Sequence, residues 1–355
     1  MQLVVPTNWD DRLIEKLKKF PIALIYAKFK RDAFGGGRPA AALPEVTKKQ
    51  ASLHIRKIHD AGIKFNYVLN TTCMGNREFI KSYQETILRE IEWIIKNRVE
   101  YVTVSIPYLM ELIKKNFPEL NIVASVFLNI DSIQKALFYK NLGVKEIVID
   151  QSQNRNLKFL DTISKAIHVD LQLVVNNICL LYCPFRLYHQ NINSHSSQYD
   201  RGSTKDISDL YPTVSCESIR INHPEEIIKS AWIRPEDLTY YEKIGIKHFK
   251  ISGRTKSTDW IAKTVESYAL RKSPDNIAEL LSFPIAQNLP KVNIEIKNKY
   301  FGNFLNGFKN KDCRYIQCIK CRYCSTIALK ALVINSDEVK RVNKKYRQIL
   351  DNLAV

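Results

Sequence analysis

Residues 48–69, KKQASLHIRKIHDAGIKFNYVL, decide the fold because they hold one complete helix-to-strand unit. Residues 48–61 have the apolar spacing of an amphipathic helix, and residues 64–69 have the composition of a short strand. Gly62 stands between them, where a helix that leads into a strand usually has its C-terminal cap. The stretch therefore predicts an α/β protein built from repeated units of this kind.

The same unit recurs through the first 270 residues, and Gly143 and Gly245 take the place of Gly62 in two further copies. Eight strands alternating with helices over this length predict a TIM-like (β/α) barrel. A doubly wound open sheet is the alternative, but no glycine-rich phosphate motif follows the first predicted strand. We interpret the glycine-rich segment 34–45 as a mobile loop over the barrel mouth. The predicted strands are residues 22–28, 64–69, 101–106, 122–127, 146–150, 171–175, 229–233 and 248–252, and the predicted helices include 48–61, 80–97, 109–116, 132–142 and 157–166.

Two segments break the alternation. Residues 190–212 are polar and rich in turn-forming residues, which predicts a long excursion after the sixth predicted strand. From about residue 282 the chain becomes rich in Asn, Lys and aromatic residues, then in cysteine, and it ends in an amphipathic helix near residues 336–353. We therefore predict a barrel domain over residues 1–280 and a small cysteine-rich C-terminal domain over residues 281–355.

The chain is strongly basic, with 54 Lys and Arg against 36 Asp and Glu among 355 residues and a net charge of +18. Such a surplus attracts an anionic small molecule or RNA, although a lysine-rich solvated surface would give the same composition. The first twenty residues lack the apolar core of a signal peptide, and no apolar run is long enough to span a membrane. We expect a cytoplasmic protein with no membrane partner.

Eight cysteines in a reducing compartment point to metal binding more than to disulfides. Four of them lie within twelve residues, in the sequence CRYIQCIKCRYC of residues 313–324. The spacing C-x2-C-x2-C is typical of iron–sulfur clusters, whereas four-cysteine zinc sites usually consist of two separated pairs. Iron–sulfur is the preferred interpretation and zinc the alternative. The proposed ligands of this C-terminal site are Cys313, Cys318, Cys321 and Cys324.

The other four cysteines are spread along the barrel sequence. Cys73 follows the second predicted strand, Cys179 and Cys183 follow the sixth, and Cys216 ends the polar excursion. Segments after barrel strands emerge at the carboxyl end of the barrel, where barrel enzymes have their active sites. These thiols are expected to converge there as a second metal site, with buried free cysteines as the alternative.

Two further motifs resemble peptidase family U32. Residues 229–238 read KSAWIRPEDL and residues 247–257 read KHFKISGRTKS. They are similar to the family's P-x-D-L turn and its K-I-E-G-R-x-K-S strand end, with Ser252 in the place of Glu. The resemblance implies a barrel with a [4Fe-4S] cluster, one or two in this chain. It also implies a role like that of the family members needed for oxygen-independent hydroxylation of ubiquinone precursors, ribosomal RNA and transfer RNA, for which prephenate is implicated as oxygen source.

The resemblance leaves three functional hypotheses. The first is an iron–sulfur enzyme that hydroxylates or otherwise modifies a small molecule or an RNA base. The second is a non-catalytic accessory subunit paired with a U32-like partner, and the third is a U32-type peptidase with a structural zinc tail. No His-Glu-x-x-His or Gly-x-Ser-x-Gly motif supports proteolysis.

An anionic substrate would need cations at the barrel mouth. Arg254 follows the eighth predicted strand, Arg234 follows the seventh, and Lys250 lies within the eighth. Arginine suits this role because its guanidinium group binds carboxylate or phosphate with two parallel hydrogen bonds. Arg254, Arg234 and Lys250 are therefore the predicted substrate-binding residues, and no catalytic residue is assigned.

Overall fold

The computed structural model describes residues 1–199, 209–283 and 289–353. Eight parallel strands close into a barrel in which each strand pairs with its neighbour in sequence and β8 returns to β1. This confirms the predicted TIM-like fold. The barrel strands are β1 Gln2–Pro6, β2 Ile22–Ala27, β3 Lys64–Leu69, β4 Tyr101–Val104, β5 Asn121–Ala124, β6 Glu146–Val148, β7 Asp170–Val174 and β8 His248–Lys250.

Helices surround the barrel and bury one face each. In the helix from Lys48 to Asp60, Ala51, Ile55 and Ile58 are buried, and Thr47 and Gln50 form a reciprocal capping box at its start. Gly62, Gly143 and Gly245 all have positive φ, as the predicted C-terminal caps require. The barrel-side helices are α1 Arg12–Leu17, α2 Lys48–Asp60, α3 Lys81–Lys96, α4 Pro107–Asn116, α5 Ile133–Asn141, α6 Leu157–Ala166, α7 Arg186–Ser196, α8 Leu210–Asn222, α9 Glu225–Lys229, α10 Leu238–Lys243 and α11 Thr258–Ala269.

One predicted strand is wrong and one was missed. The predicted strand at residues 229–233 is the end of α9 followed by an extended segment, and β7 pairs directly with β8. The eighth place in the barrel belongs to β1, whose short run QLVVP pairs with both β2 and β8. The segment at 229–233 resembles a strand because Trp232 and Ile233 are buried, but they pack outside the barrel.

The barrel interior and its outer layer have different compositions. On β3, Phe65 and Leu69 face the main core between strands and helices, whereas Val68 joins a small interior cluster with Val4 and Leu24. Strand residues alternate between these two sides. Polar and charged side chains can therefore lie inside the barrel although its outside is uniformly apolar.

The C-terminal segment packs on the barrel. Phe301, Phe304 and Phe308 belong to the same hydrophobic core as the barrel helices, so the apolar contact is continuous. The division at residue 280 stays a prediction. The segment contains β9 Ile294–Ile296, α12 Cys318–Cys321, α13 Tyr323–Ala331, β10 Leu332–Ile334 and α14 Ser336–Leu353. Strands β9 and β10 pair antiparallel.

Two loop predictions need correction. The predicted excursion at 190–212 contains the end of α7 and the start of α8, and its residues 200–208 lie outside the described part of the chain. The glycine-rich loop, predicted to be mobile, is held in place. Gly36 N–H donates to Ser197 Oγ and Gly37 N–H to Asn70 Oδ1, and a Cβ on Gly37 would lie 2.2 Å from the Phe127 ring.

None of the helices in the described ranges is both long enough and apolar enough to cross a membrane.

Candidate functional site

An ion pair is buried at the carboxyl end of β2. Lys28 Nζ lies 2.5 Å from Asp32 Oδ2, and both side chains are fully enclosed. Tyr67 donates its hydroxyl to the same oxygen at 3.0 Å, while Asp32 Oδ1 accepts the N–H groups of Phe34 and Gly35. The Asp32 carboxylate therefore neutralises Lys28 and fixes the start of the glycine-rich loop.

Two further cations lie close by without such a partner. Arg254 is 7% exposed and follows β8, and its buried Nη1 has no hydrogen-bond partner among the residues described. Lys250 Nζ lies 4.3 Å from the centre of the Tyr26 ring, and the Arg254 guanidinium lies 6.0 Å from the same centre. No carboxylate in the described ranges forms an ion pair with either cation.

Burial, together with the positive charge of Arg254, lowers the pKa of Lys250 to about 8. Burial likewise lowers the pKa of Arg254 to about 10. Both shifts express the cost of a buried positive charge. A bound anion would therefore stabilise the charged forms of Lys250 and Arg254.

Arg234, the third predicted anchor, is already engaged. Its Nε and Nη2 donate to the two carboxylate oxygens of Asp237 at 2.9 and 2.7 Å, and Nη1 donates to Asn298 at 3.3 Å. The arrangement favours a structural role for Arg234 at the junction of barrel and tail. Its role in substrate binding stays a prediction.

Three of the barrel cysteines lie in neighbouring segments, and their role as ligands of one metal site stays a prediction. Cys179 and Cys183 lie in the segment after β7, and Cys216 lies within α8. Buried Arg220 joins the two elements, because its Nη1 donates to the carbonyl of Ile178 at 3.2 Å and its Nη2 lies 3.2 Å from Cys216 Sγ. Burial raises the pKa of Cys216 to about 12, against the opposing charge of Arg220.

Cys73 lies in the segment after β3, the third strand once β1 is counted. Its sulfur accepts the N–H of Gly75 at 3.4 Å, and its carbonyl accepts Gln198 Nε2 at 2.7 Å. No described contact joins this sulfur to the other three. Its membership of the metal site stays a prediction.

Cys313, Cys318, Cys321 and Cys324 line one cavity against the barrel. All eight cysteines of the chain are free thiols. In the described part of the chain, no three His, Cys, Asp or Glu side chains lie close enough to hold a single metal ion. Cys179, Cys183 and Cys216 are neighbours, as are the four tail cysteines, whereas Cys73 lies apart from both sets in the described residues.

The sequence analysis missed Lys28, Asp32, Arg155 and Arg220. Lys28 could have been found from the sequence, because a lysine directly follows the apolar run IALIYA of β2. Nothing in the sequence marks the two arginines as buried, because an arginine in a polar segment is usually exposed.

Several known proteins are similar to this chain. The sequence profile of peptidase family U32 matches residues 41–312. A protein of Methanocaldococcus jannaschii named uncharacterized protease is 32% identical over 342 residues, covering 94% of this chain and 95% of that protein. Proteins named tRNA hydroxylation protein P from Haemophilus influenzae and Escherichia coli are 20% and 22% identical, each alignment covering 74% of this chain and 66% of the relative.

The fold comparison agrees. The solved structure of a U32 peptidase superposes with a TM-score of 0.52 at 18% identity, covering 71% of this chain and 92% of that one. At this identity the likeness concerns the fold alone. The profile match over most of the barrel and the archaeal relative together establish that this chain belongs to peptidase family U32.

Proposed function

We propose that the protein is a cytoplasmic iron–sulfur enzyme that hydroxylates or otherwise modifies an anionic small molecule or an RNA base without oxygen. The observation that carries the proposal is that Cys216 contacts Arg220, with Cys179 and Cys183 within electrostatic range of the same guanidinium, at the barrel end where β7 and β8 finish. Free thiols gathered at this end suit a thiolate-bound cluster. The two relatives named for tRNA hydroxylation support the reaction class.

The residues present fit a cluster in their charge as well as their chemistry. Thiolates bound to iron bring negative charge, and Arg220 already directs a guanidinium nitrogen at Cys216. Arg186, which pairs with Asp150 at 2.5 Å, adds positive charge close to Cys179 and Cys183. When bound, a four-iron cluster with an open site would supply Lewis-acid or one-electron chemistry.

Substrate binding is assigned to Arg254 and Lys250. Nη1 of Arg254 is buried and has no hydrogen-bond partner among the described residues, and an unsatisfied buried donor is costly unless a ligand accepts from it. A carboxylate or phosphate would supply that acceptor and offset both buried charges. Among the described residues no carboxylate pairs with Arg254 or Lys250, and Asp32 is bound by Lys28 and Tyr67.

The first experiment is anaerobic purification followed by metal analysis of the wild type and of Cys179→Ala and Cys183→Ala. We expect a brown protein in which either substitution removes about four irons per chain, because each removes a thiolate from one cluster. The matched control is Thr72→Ala, a conservative change in the segment next to Cys73. Iron content unchanged in both cysteine variants would contradict the proposal.

The competing functions give other outcomes. An accessory subunit would retain its iron but show activity only after a second U32-like chain is added. A peptidase would cleave an unfolded protein such as gelatin, with zinc in place of iron. Gelatin cleavage by a preparation that holds only zinc would replace the proposed function.

A further inference from the structure

A second cysteine site lies where the tail meets the barrel, and the family match ends just before it. The profile match stops at residue 312, while the four C-terminal cysteines begin at Cys313. Their cavity is closed on the other side by barrel residues, including Arg155 and Tyr182. The site is therefore shared between the two parts of the chain and is not assigned by membership of the family.

Arg155 is the unusual member of this cavity. Its side chain is 5% exposed, and its two terminal nitrogens donate only to backbone carbonyls, those of Ile228 and Lys229 on one side and Trp232 on the other. Its Nε is buried with no partner in the described ranges. The rings of Phe304 and Phe308 lie 4.7 and 5.4 Å from the guanidinium carbon.

Arg155 has no ion-pair partner among the described residues. No carboxylate in them forms an ion pair with its guanidinium, and no acidic residue lines the cavity. The Asp237 carboxylate is within electrostatic range but is already bound by Arg234. A buried charge without a directly bound counter-charge is destabilising. The cavity's own thiols can supply that counter-charge, since Cys324 and Cys313 are within electrostatic range of the guanidinium.

Lys311 adds a cation from the tail, and its Nζ lies 3.4 Å from Cys321 Sγ. Lys229 also lines the cavity, but its ammonium group is paired with Glu226 at 2.6 Å. Arg155 and Lys311 are therefore the lining cations without a carboxylate partner in the described residues. Thiolates bound to a metal centre give a net anionic group, which would match these cations.

The order of the cysteines favours a cluster over one zinc ion. Three of them follow the spacing C-x2-C-x2-C, whereas four-cysteine zinc sites usually consist of two separated pairs. A four-iron cluster binds each thiolate to a different iron, and the four cysteines line one cavity.

We propose that Cys313, Cys318, Cys321 and Cys324 form a second iron–sulfur site, with Arg155 as the positioning residue that supplies its buried counter-charge. The inference goes beyond the proposed function, because the tail site can hold a cluster whether or not the barrel site does. Binding would deprotonate the four thiols and release their protons to solvent.

The test counts iron in matched double variants prepared anaerobically with ferrous iron and sulfide. The tail variant is Cys318→Ser with Cys321→Ser, and the barrel variant is Cys179→Ser with Cys183→Ser. We expect about eight irons in the wild type and about four in each variant. Full iron in the tail variant, or zinc at the tail of the barrel variant, would overturn the second cluster while leaving the proposed function standing. Loss of iron in the tail variant alone would overturn the proposed function and retain this inference.

Arg155 is tested in the barrel variant, so that only the tail cluster is observed. We expect Arg155→Met to shift the midpoint potential of that cluster to a more negative value, because removal of a nearby cation disfavours the added electron. Arg155→Lys keeps the charge and should shift it less. Electron paramagnetic resonance during a redox titration measures both values. Equal potentials in all three proteins would overturn the role of Arg155. Should Arg155→Met fail to fold, Arg155→Gln is titrated in its place, and an unshifted potential in that variant would overturn the same role.

Discussion

Arg254 and Arg234 are both buried arginines near the barrel, but they differ in what their nitrogens bind. Arg234 donates to Asp237 and Asn298, whereas Nη1 of Arg254 has no hydrogen-bond partner in the part of the chain that the structure describes. We therefore expect Arg254→Lys to weaken binding of a small carboxylate, because an ammonium group cannot make two parallel hydrogen bonds. One lost charge-assisted bond is worth about 1.5–3 kcal/mol, or roughly ten- to hundredfold in affinity. Isothermal titration with malonate as the probe measures this effect.

Arg234→Lys is the matched control. It should lower the melting temperature, because the two-pronged contact with Asp237 is lost, and it should leave malonate affinity near the wild-type value. The reverse result, with weaker binding in Arg234→Lys and wild-type binding in Arg254→Lys, would move the anchor to Arg234.

The titration of Lys250 predicts that malonate affinity depends on pH. Burial lowers its pKa to about 8 from an ordinary 10.5, so the ammonium form that attracts an anion is lost as the pH rises through about 8. Malonate affinity should fall between pH 7 and 9 by up to about tenfold per pH unit above 8. In Lys250→Met this slope should be absent. An identical slope in Lys250→Met would show that another group titrates.

The lowered pKa of Lys250 also affects folding stability, which should rise with pH whereas malonate affinity falls. Between pH of about 8 and 10.5 the unfolded chain holds a proton on Lys250 that the folded protein has released. The free energy of unfolding contributed by this group therefore rises with pH in that window. Denaturant unfolding of wild type and Lys250→Met across the window checks the sign.

Helix α14 packs against α8, the helix that carries Cys216 and Arg220, and we expect it to stabilise α8. Val342 and Tyr346 of α14 are buried against Val214 and Ile221 of α8. Val342→Ala should cost about 2 kcal/mol, from two buried methyl groups and the cavity they leave. A lower melting temperature and faster amide hydrogen exchange in α8 would show this coupling.

Lys345→Ala on the exposed face of α14 is the control and should leave both measurements unchanged. Slower or unaltered exchange in α8 of Val342→Ala would mean that α8 is held by the barrel alone.

Elements with a strong local pattern were predictable from sequence. The helix ends at Gly62, Gly143 and Gly245 were found because a positive φ there favours glycine. β1 was missed because its five residues carry no flanking signal, and residues 229–233 were misread because burial outside a barrel leaves the same apolar composition as a strand.

For the molecule as a whole, the sequence located the cysteines but not their surroundings. Four thiols within residues 313–324 are visible in any printed sequence. The pairing of that segment with Arg155 depends on how the tail folds back on the barrel. Likewise, Lys28 and Arg254 become neighbours only because β8 closes on β1 and β1 on β2. Long-range contacts of this kind have no local signature.

The position of β1 also shapes how the chain is made. The ribosome produces Gln2–Pro6 first, but one of the two strands that flank it, His248–Lys250, is made near the end of the barrel sequence. At about 5–20 residues per second, roughly 10–50 s separate the two strands during synthesis. Throughout that interval the nascent sheet has two open edges that can pair with other chains. We therefore expect the nascent chain to depend on chaperones until β8 leaves the ribosome. We also expect slower translation to increase its aggregation.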